Sequence, residues 1–333
     1  MELEIIAELA QGFEGNFEQA KLLIKAAAKS GADAAKFQLV YAEELATSDY
    51  VYYPLFKKLE MEDEAWKLLY EYANENKVDL YLDIFGIRSL ALCERIGIKG
   101  VKLHGTDISN IGLLEEVAKS NIKNVYLGAG GAHLDEIELA VNILKEKEVT
   151  ILLGFQAYPT PTEDNHIDRV RFLKDYYRTK NESIKIGFAD HADPTSPLRY
   201  ALATAALGNG AKVIEKHITF GKVMEMEDHE SALNPDEFLE FSSVMRDCFN
   251  ALGNIEDSND FGMTDSEKGY RKMIRRHVVS SKNIAKGTIL KATDVVLKRT
   301  SSDDFITDLT SVYNKKVLVD IKENCAITKN SIE

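Results

Sequence analysis

Residues 184–220 read IKIGFADHADPTSPLRYALATAALGNGAKVIEKHITF. A short apolar run, Ile184–Phe188, precedes a stretch with helical spacing, Pro197–Leu207, and a second short run, Lys212–Glu215. Short, mostly apolar runs bounded by turns read as buried parallel strands, and strand–helix–strand is one crossover of a parallel sheet. Both runs lead into ionisable residues: Asp190 and His191 after the first, Glu215, Lys216 and His217 at the end of the second.

The same unit recurs toward the N-terminus. Further strand candidates lie near Leu3–Glu8, Ala34–Gln38, Val78–Ile84, Gly100–Leu103, Asn124–Leu127 and Val149–Leu153. Helical spacing is clearest over Phe17–Lys29, Asp63–Asn76 and Asp135–Lys147, where Asp135, Glu136 and Glu138 sit in the first turns and suit the helix dipole. Eight repeats over about 250 residues predict a closed (β/α)8 TIM barrel spanning 1–252. A doubly wound open sheet is the alternative, weakened because no GxGxxG follows the first strand.

The pattern changes after Cys248. Gly253–Gly269 is rich in Asn, Asp, Ser and Gly and reads as a linker, placed at 253–272, and 273–333 reads as a small β-rich domain. Residues 271–300 hold nine Lys/Arg against the single acid Asp294. Such a patch suits docking on an acidic surface, or is simply a solvated face.

The chain of 333 residues carries a net charge of −13, which argues against a nucleic-acid partner. Cys93, Cys248 and Cys325 are widely spaced with no CxxC pair, as in a reducing compartment. MELEIIAELA lacks the basic start of a signal peptide, and no apolar run reaches the ~18–20 residues of a membrane span. A cytoplasmic protein is expected.

A barrel carries its chemistry at the C-terminal ends of its strands. Those ends hold Glu8; Lys36 and Gln38; Asp83; Lys102, His104 and Asp107; Gln156 and Tyr158; Asp190 and His191; and Glu215, Lys216 and His217. Ionised groups beside apolar strands are costly unless they pair or bind something. A Lys–Glu pair sealing the barrel end remains the plainer account of Lys102 or Glu215. His191 and His217, each expected just past its strand on neighbours about 4.8 Å apart, are placed to share one divalent ion, with Glu215 on the same side as His217. Neutral imidazoles suit Mn, Fe, Zn or Co and leave positions for water and substrate oxygen. Lys36 and Lys102, with the glycine turns His104–Thr106 and Gly128–Gly131, are suited to phosphate.

IIAELAQGFEGN (5–16), GADAAKFQ (31–38), VKLHGTDISN (101–110), AYPTP (157–161), GFADH (187–191), VIEKHIT (213–219), DHESAL (228–233) and KGTILKATDVVLKR (286–299) occur in an order that resembles the sialic acid synthases, which carry a C-terminal antifreeze-like (SAF) domain. The resemblance implies a transferase joining phosphoenolpyruvate to an N-acetylmannosamine-like or diacetamido-trideoxyhexose aldose. C3 of the enol adds to the aldehyde, water adds at C2, and phosphate leaves by C–O cleavage. It implies that His191 and His217 bind a divalent metal, usually Mn2+, with Co2+, Fe2+ or Mg2+ as alternatives. Glu8, Glu215 and Lys102 are then catalytic, and Lys36, Gln38, Asp107, Gln156, Tyr158, Asp228 and Arg299 bind substrate. Arg299 would reach in from a second subunit of a domain-exchanged homodimer.

The chain departs from that family at several hydroxyl-bearing positions. It has Gly12-Phe13-Glu14-Gly15 where Asn-His-Asn-Gly is usual, Asp83 and Ile84 in place of strand hydroxyls, Gly105-Thr106 for a serine turn, Gly128-Ala129-Gly130-Gly131 for Ser-Thr-Gly-Met, and Ala189 for Ser. Thr300 follows Arg299 where proline is usual. Phosphate binding then rests on backbone N–H groups, Thr106 and the lysines, or the donor differs. Two other readings stay open: a class I aldolase with Lys36 or Lys102 as Schiff base, and a catalytically silent sugar-binding paralogue.

Overall fold

Eight parallel strands, each followed by at least one helix, form the first of two units in the computed structural model, which describes residues 2–154, 157–181, 183–253 and 260–333. In chain order they are β1 (Glu4–Ala10), α1 (Phe17–Lys29), β2 (Ala34–Gln38), α2 (Ala42–Leu45), α3 (Tyr53–Leu59), α4 (Asp63–Glu75), β3 (Asp79–Ile84), α5 (Ile87–Ile96) and β4 (Gly100–Leu103). There follow α6 (Ile111–Lys119), β5 (Asn124–Gly128), α7 (Leu134–Ile143), β6 (Glu148–Leu153), α8 (Asp168–Arg178), β7 (Lys185–Asp190), α9 (Ala201–Gly208), β8 (Val213–His217) and α10 (Pro235–Leu252). β1 pairs with both β2 and β8, so the sheet is closed and the open-sheet alternative is excluded. Among the described residues no helix is long and apolar enough to cross a membrane.

The strand candidates match β1–β8 to within two residues at either end, with one consequence for the site. β8 keeps its pairing with β1 as far as Glu8↔His217, so His217 is the last residue of its strand and not beyond it. His191 does follow its strand, which ends at Asp190.

The lower part of the barrel is filled by Ile6, Ala34, Tyr81, Tyr126, Leu152 and Val213. The two tyrosine rings lie 5.1 Å apart, and their hydroxyls donate to Glu4 Oε1 at 2.8 and 2.6 Å. Gly100 makes room for them, since a Cβ there would meet both rings at about 3.0 Å. Outside the sheet Phe13, Phe37 and Trp66 meet edge to face at centroid distances of 5.4–6.0 Å, all fully buried. This cluster fastens the turn after β1 to β2 and α4.

The second unit, Asn254–Glu333, has its own core of Val278, Ile284, Leu290, Val295, Val312, Val317, Ile321 and Ile327. Strands β9 (His277–Ser280) and β10 (Val295–Lys298) pair antiparallel, and isolated bridges tie in the remaining turns. The stretch expected to be linker, 253–272, needs correction. It contains most of a helix, α11 (Asp265–Ile274), started by a capping box in which Thr264 accepts from Glu267 N and Glu267 accepts from Thr264 N. None of its side chains is buried, and its apolar face is short, only Tyr270, Met273 and Ile274.

Truncating Trp66 would leave a large cavity between α4 and the barrel wall. Trp66→Ala should lower stability by about 3–5 kcal/mol, measured by the urea midpoint at unchanged slope.

Candidate active site

Closure of the sheet brings Glu8 of β1, Lys36 of β2, Asp83 of β3, Lys102 of β4 and Glu215 of β8 together at the C-terminal end of the barrel, each no more than 5% exposed. Strand register does much of this, because Glu8 is level with Lys36 and Asp83 with Lys102. Lys36 Nζ donates to Asp83 Oδ1 at 2.7 Å and to Glu8 Oε2, and lies 3.5 Å from Glu215 Oε2. Lys102 Nζ donates to Glu215 Oε1 at 2.7 Å and lies 3.8 Å from both Glu8 and Asp83.

Two lysines thus face three carboxyls in a buried site. Burial pushes the Glu8 carboxyl up; Lys36 offsets this only in part, Glu215 and Asp83 add to it, and it rises to about 8. Burial also opposes ionisation of Glu215, but Lys102 and Lys36 outweigh it and hold Glu215 below the usual carboxylate range. Burial alone would depress Lys36, yet Asp83, Glu215 and Glu8 keep it well above the ordinary lysine value. The same buried surroundings thus push two carboxyls around one lysine in opposite directions, the asymmetry that separates an acid from a base.

His191 and His217 stand beside this cluster with ring centroids 5.3 Å apart, and the Tyr158 ring meets them edge-on at 5.1 and 5.6 Å. Burial pushes His191 down to about 3, against the pull of Glu215; burial and His191 push His217 well down. Both imidazoles are neutral, and His191 Nδ1 is buried without a hydrogen-bond partner. Their backbones are tied in place. The His191 carbonyl accepts from Thr160 N (2.9 Å) and Ser231 Oγ (3.1 Å), and the His217 carbonyl from Leu233 N (3.0 Å). Behind them Lys216 donates to the Ala192 carbonyl at 2.9 Å and to Asp190 Oδ1 at 3.4 Å. Among the described residues no three His, Cys, Asp or Glu gather into a ready-made cation cage. A divalent ion at the two imidazoles therefore needs water or substrate oxygens to complete its shell.

Above the cluster opens a cleft of ≈ 630 Å³. Gln38, Asp107, Tyr158 and Asp228 line it, together with Gln11, whose Nε2 donates to Gln38 Oε1 at 2.7 Å. Burial, with Glu227 and Glu230, pushes Asp228 up to about 6. The two glycine turns touch, since a Cβ on Gly128 would lie 2.8 Å from Gly105 N. Gly130 and Gly131 open onto a smaller cleft of ≈ 250 Å³ with Arg169. Gln156 lies outside the described residues, and Arg299 is exposed in the second unit just after β10.

Sequence reading placed Asp83 among the polar strand ends but gave it no role, although it is buried at the centre of the cluster. An acid on an inward position of an apolar strand, level with Gln38 and Lys102, was the available signal. The Phe56 and Phe85 part of the cleft wall was also missed, because neither residue stands in a pattern that points to a cleft.

The fold and this end of it define a (β/α)8 protein with paired acid–base and imidazole groups at the strand ends. Residues 23–257 match the NeuB family and residues 275–333 the SAF domain, and the chain belongs to the NeuB family. It is 31% identical over 323 residues to an uncharacterised protein of Methanocaldococcus jannaschii, covering 96% of this chain and 91% of that one. It is also 31% identical over 317 residues to the N,N'-diacetyllegionaminic acid synthase of Campylobacter jejuni, with 89% and 90% covered. Among solved structures it resembles the N-acetylneuraminic acid synthetase of Leptospira borgpetersenii in complex with citrate, with a TM-score of 0.73 and 27% identity over 82% of this chain and 93% of that chain.

Removing the central cation leaves three buried carboxyls facing Lys102 alone. Lys36→Met should cost about 3–5 kcal/mol at pH 8. The deficit should shrink at pH 5.5, because carboxyls that lose their cation take up protons; urea midpoints at the two pH values test this.

Proposed function

We propose that this chain condenses phosphoenolpyruvate with an open-chain aldose and water to give a sialic-acid-type sugar acid and phosphate. The observation that carries this reading is the buried cluster of Glu8, Asp83 and Glu215 around Lys36 and Lys102, in which Glu8 is pushed up and Glu215 down, beneath an open cleft and beside two close imidazoles. The synthase activities of the relatives from Campylobacter jejuni and Leptospira borgpetersenii agree with it.

In the proposed reaction Lys36 and Lys102 hold the anionic donor against the cluster. As C3 of the enol bonds to the aldehyde carbon, Glu8 passes its proton to the aldehyde oxygen. Glu215 takes a proton from the water that adds at C2, and the C2–O bond to phosphate then breaks. Asp228 and Gln38 orient the sugar hydroxyls. The two imidazoles fit a divalent ion such as Mn2+, being neutral and close, with His191 Nδ1 unpartnered. When bound, such an ion supplies Lewis acidity toward the aldehyde oxygen. A Schiff-base aldolase is disfavoured at Lys36, since its surroundings hold the amine protonated and a nucleophilic amine must be neutral.

The test is phosphate release from phosphoenolpyruvate with Mn2+ and a panel of N-acylated aldoses. Release should depend on the aldose and stop with chelator, and His191→Ala and His217→Ala should each lower bound metal at least tenfold by elemental analysis. Aldose-independent release, or metal content unchanged in both variants, would sink the reading. Asp228 binds as a carboxylate in this scheme, so KM for the aldose should be flat above about pH 7 and climb as pH falls through about 6. Asp228→Asn should flatten that profile and raise KM about 10–100-fold, the loss of a charged hydrogen bond.

A further inference from the structure

Strand β8 ends Glu215-Lys216-His217, and successive side chains of a strand point to opposite faces. Glu215 joins the cluster inside the barrel, so Lys216 faces the outer side of the sheet, where it is fully buried. An ammonium there is costly unless it is closely paired. Its partners all belong to the turn that carries His191. Asp190 is level with Lys216 on the neighbouring strand. Lys216 Nζ donates to the Ala192 carbonyl at 2.9 Å and to Asp190 Oδ1 at 3.4 Å, and the same Oδ1 accepts from Ala192 N at 2.7 Å. These three contacts close a ring, and His191 is the residue enclosed between its two anchor points.

The two imidazoles differ in how they are held. His217 closes β8, level with Glu8 of β1, and its carbonyl accepts from Leu233 N. His191 lies past the end of its strand, so its backbone depends on the turn. The ring centroids are 5.3 Å apart with the planes at 51°. An ion held by only two protein nitrogens is sensitive to that spacing, because no third side chain compensates when one imidazole moves.

We infer that Lys216 is a positioning residue: through Asp190 and the Ala192 carbonyl it fixes the turn that presents His191 to His217, and so sets the spacing of the two imidazoles for a divalent ion. This rests on the metal-assisted reading proposed above. Lys216 acts through His191 from the far side of the sheet.

The experiment titrates the full chain with Mn2+ alone and, in metal-free protein, follows modification of each histidine by diethyl pyrocarbonate through peptide mass spectrometry. Lys216→Met keeps the length of the side chain and removes its charge. A double variant, Lys216→Met with Asp190→Asn, also removes the carboxylate that would be left stranded, and keeps an oxygen for Ala192 N. Each should bind Mn2+ at least tenfold more weakly, within the ~10–100-fold typical when a metal ligand loses its outer partner. His191 should be modified at least tenfold faster, while His217, held by β1 and Leu233, stays within twofold of the unaltered protein. A pair that merely stabilises the barrel would lower the melting temperature alone, so unchanged Mn2+ affinity or an unchanged rate at His191 overturns the inference. Equal acceleration at both histidines overturns it as well, because that marks general loosening. If Lys216→Met does not fold, the double variant carries both measurements. Should the unaltered protein take up no Mn2+, the metal reading fails by itself, and the modification rates then decide: acceleration at His191 alone supports the positioning role, and any other pattern overturns it.

Discussion

Charge balance in a dry space is the constraint on which the rest of this molecule depends. Each carboxylate or ammonium taken from water costs several kcal/mol, and only close pairing returns it. Glu8, Lys36, Asp83, Lys102 and Glu215 come from five different strands, so no local segment can satisfy any of them. Lys36 meets Glu8 and Asp83 across neighbouring strands, but Glu215 reaches Lys36 and Lys102 only when β8 has met β1 and the barrel is closed. The cluster is therefore a test of register: a two-residue slip keeps every side chain on its face but moves a charge about 7 Å along the strand, out of reach of its partner.

The rest of the barrel holds that register. Below the cluster, Glu4 and the two tyrosine hydroxyls form a second polar layer, and Gly100 is small because the rings need its space. Above it, the chain beyond the strands is pinned to backbone atoms. Lys216 points away from the site, yet it holds the turn that carries His191 through the Ala192 carbonyl. Glu44 closes the start of α5 and so fixes the wall across the cleft. The result is a site whose side chains are set before anything binds, as catalysis by preorganised charges requires.

How much of this was legible follows from which interactions are local. The eight strands were readable because a doubly covered parallel strand is a short apolar run whatever its partners. His191, His217 and Glu215 were readable because position along such a strand fixes which end and face a residue occupies. Asp83 was read as a polar strand end and a lost hydroxyl without a role of its own, since its meaning lies in Lys36, 47 residues away and on the neighbouring strand. The end of β8 was set two residues short because pairing with β1, not composition, carries it to His217. α11 was hidden for the opposite reason: it buries none of its side chains, so its capping box and the short face of Tyr270, Met273 and Ile274 were the signals.

Asp83 also bears on what the cluster asks of an anionic donor. Both lysines are already paired within the cluster, Lys36 with Asp83 and Lys102 with Glu215. A donor carrying a carboxylate and a phosphate cannot simply add to it. It must draw Lys36 or Lys102 from an existing partner or find backbone N–H groups, and the touching turns at Gly105 and Gly128–Gly131 offer the latter without a side chain in the way. In the proposed reaction, therefore, Asp83 keeps Lys36 protonated and in place, while competing with the donor for the same ammonium. A carboxylate at that position trades donor affinity for a lysine that never loses its charge, and a hydroxyl there would set the balance the other way.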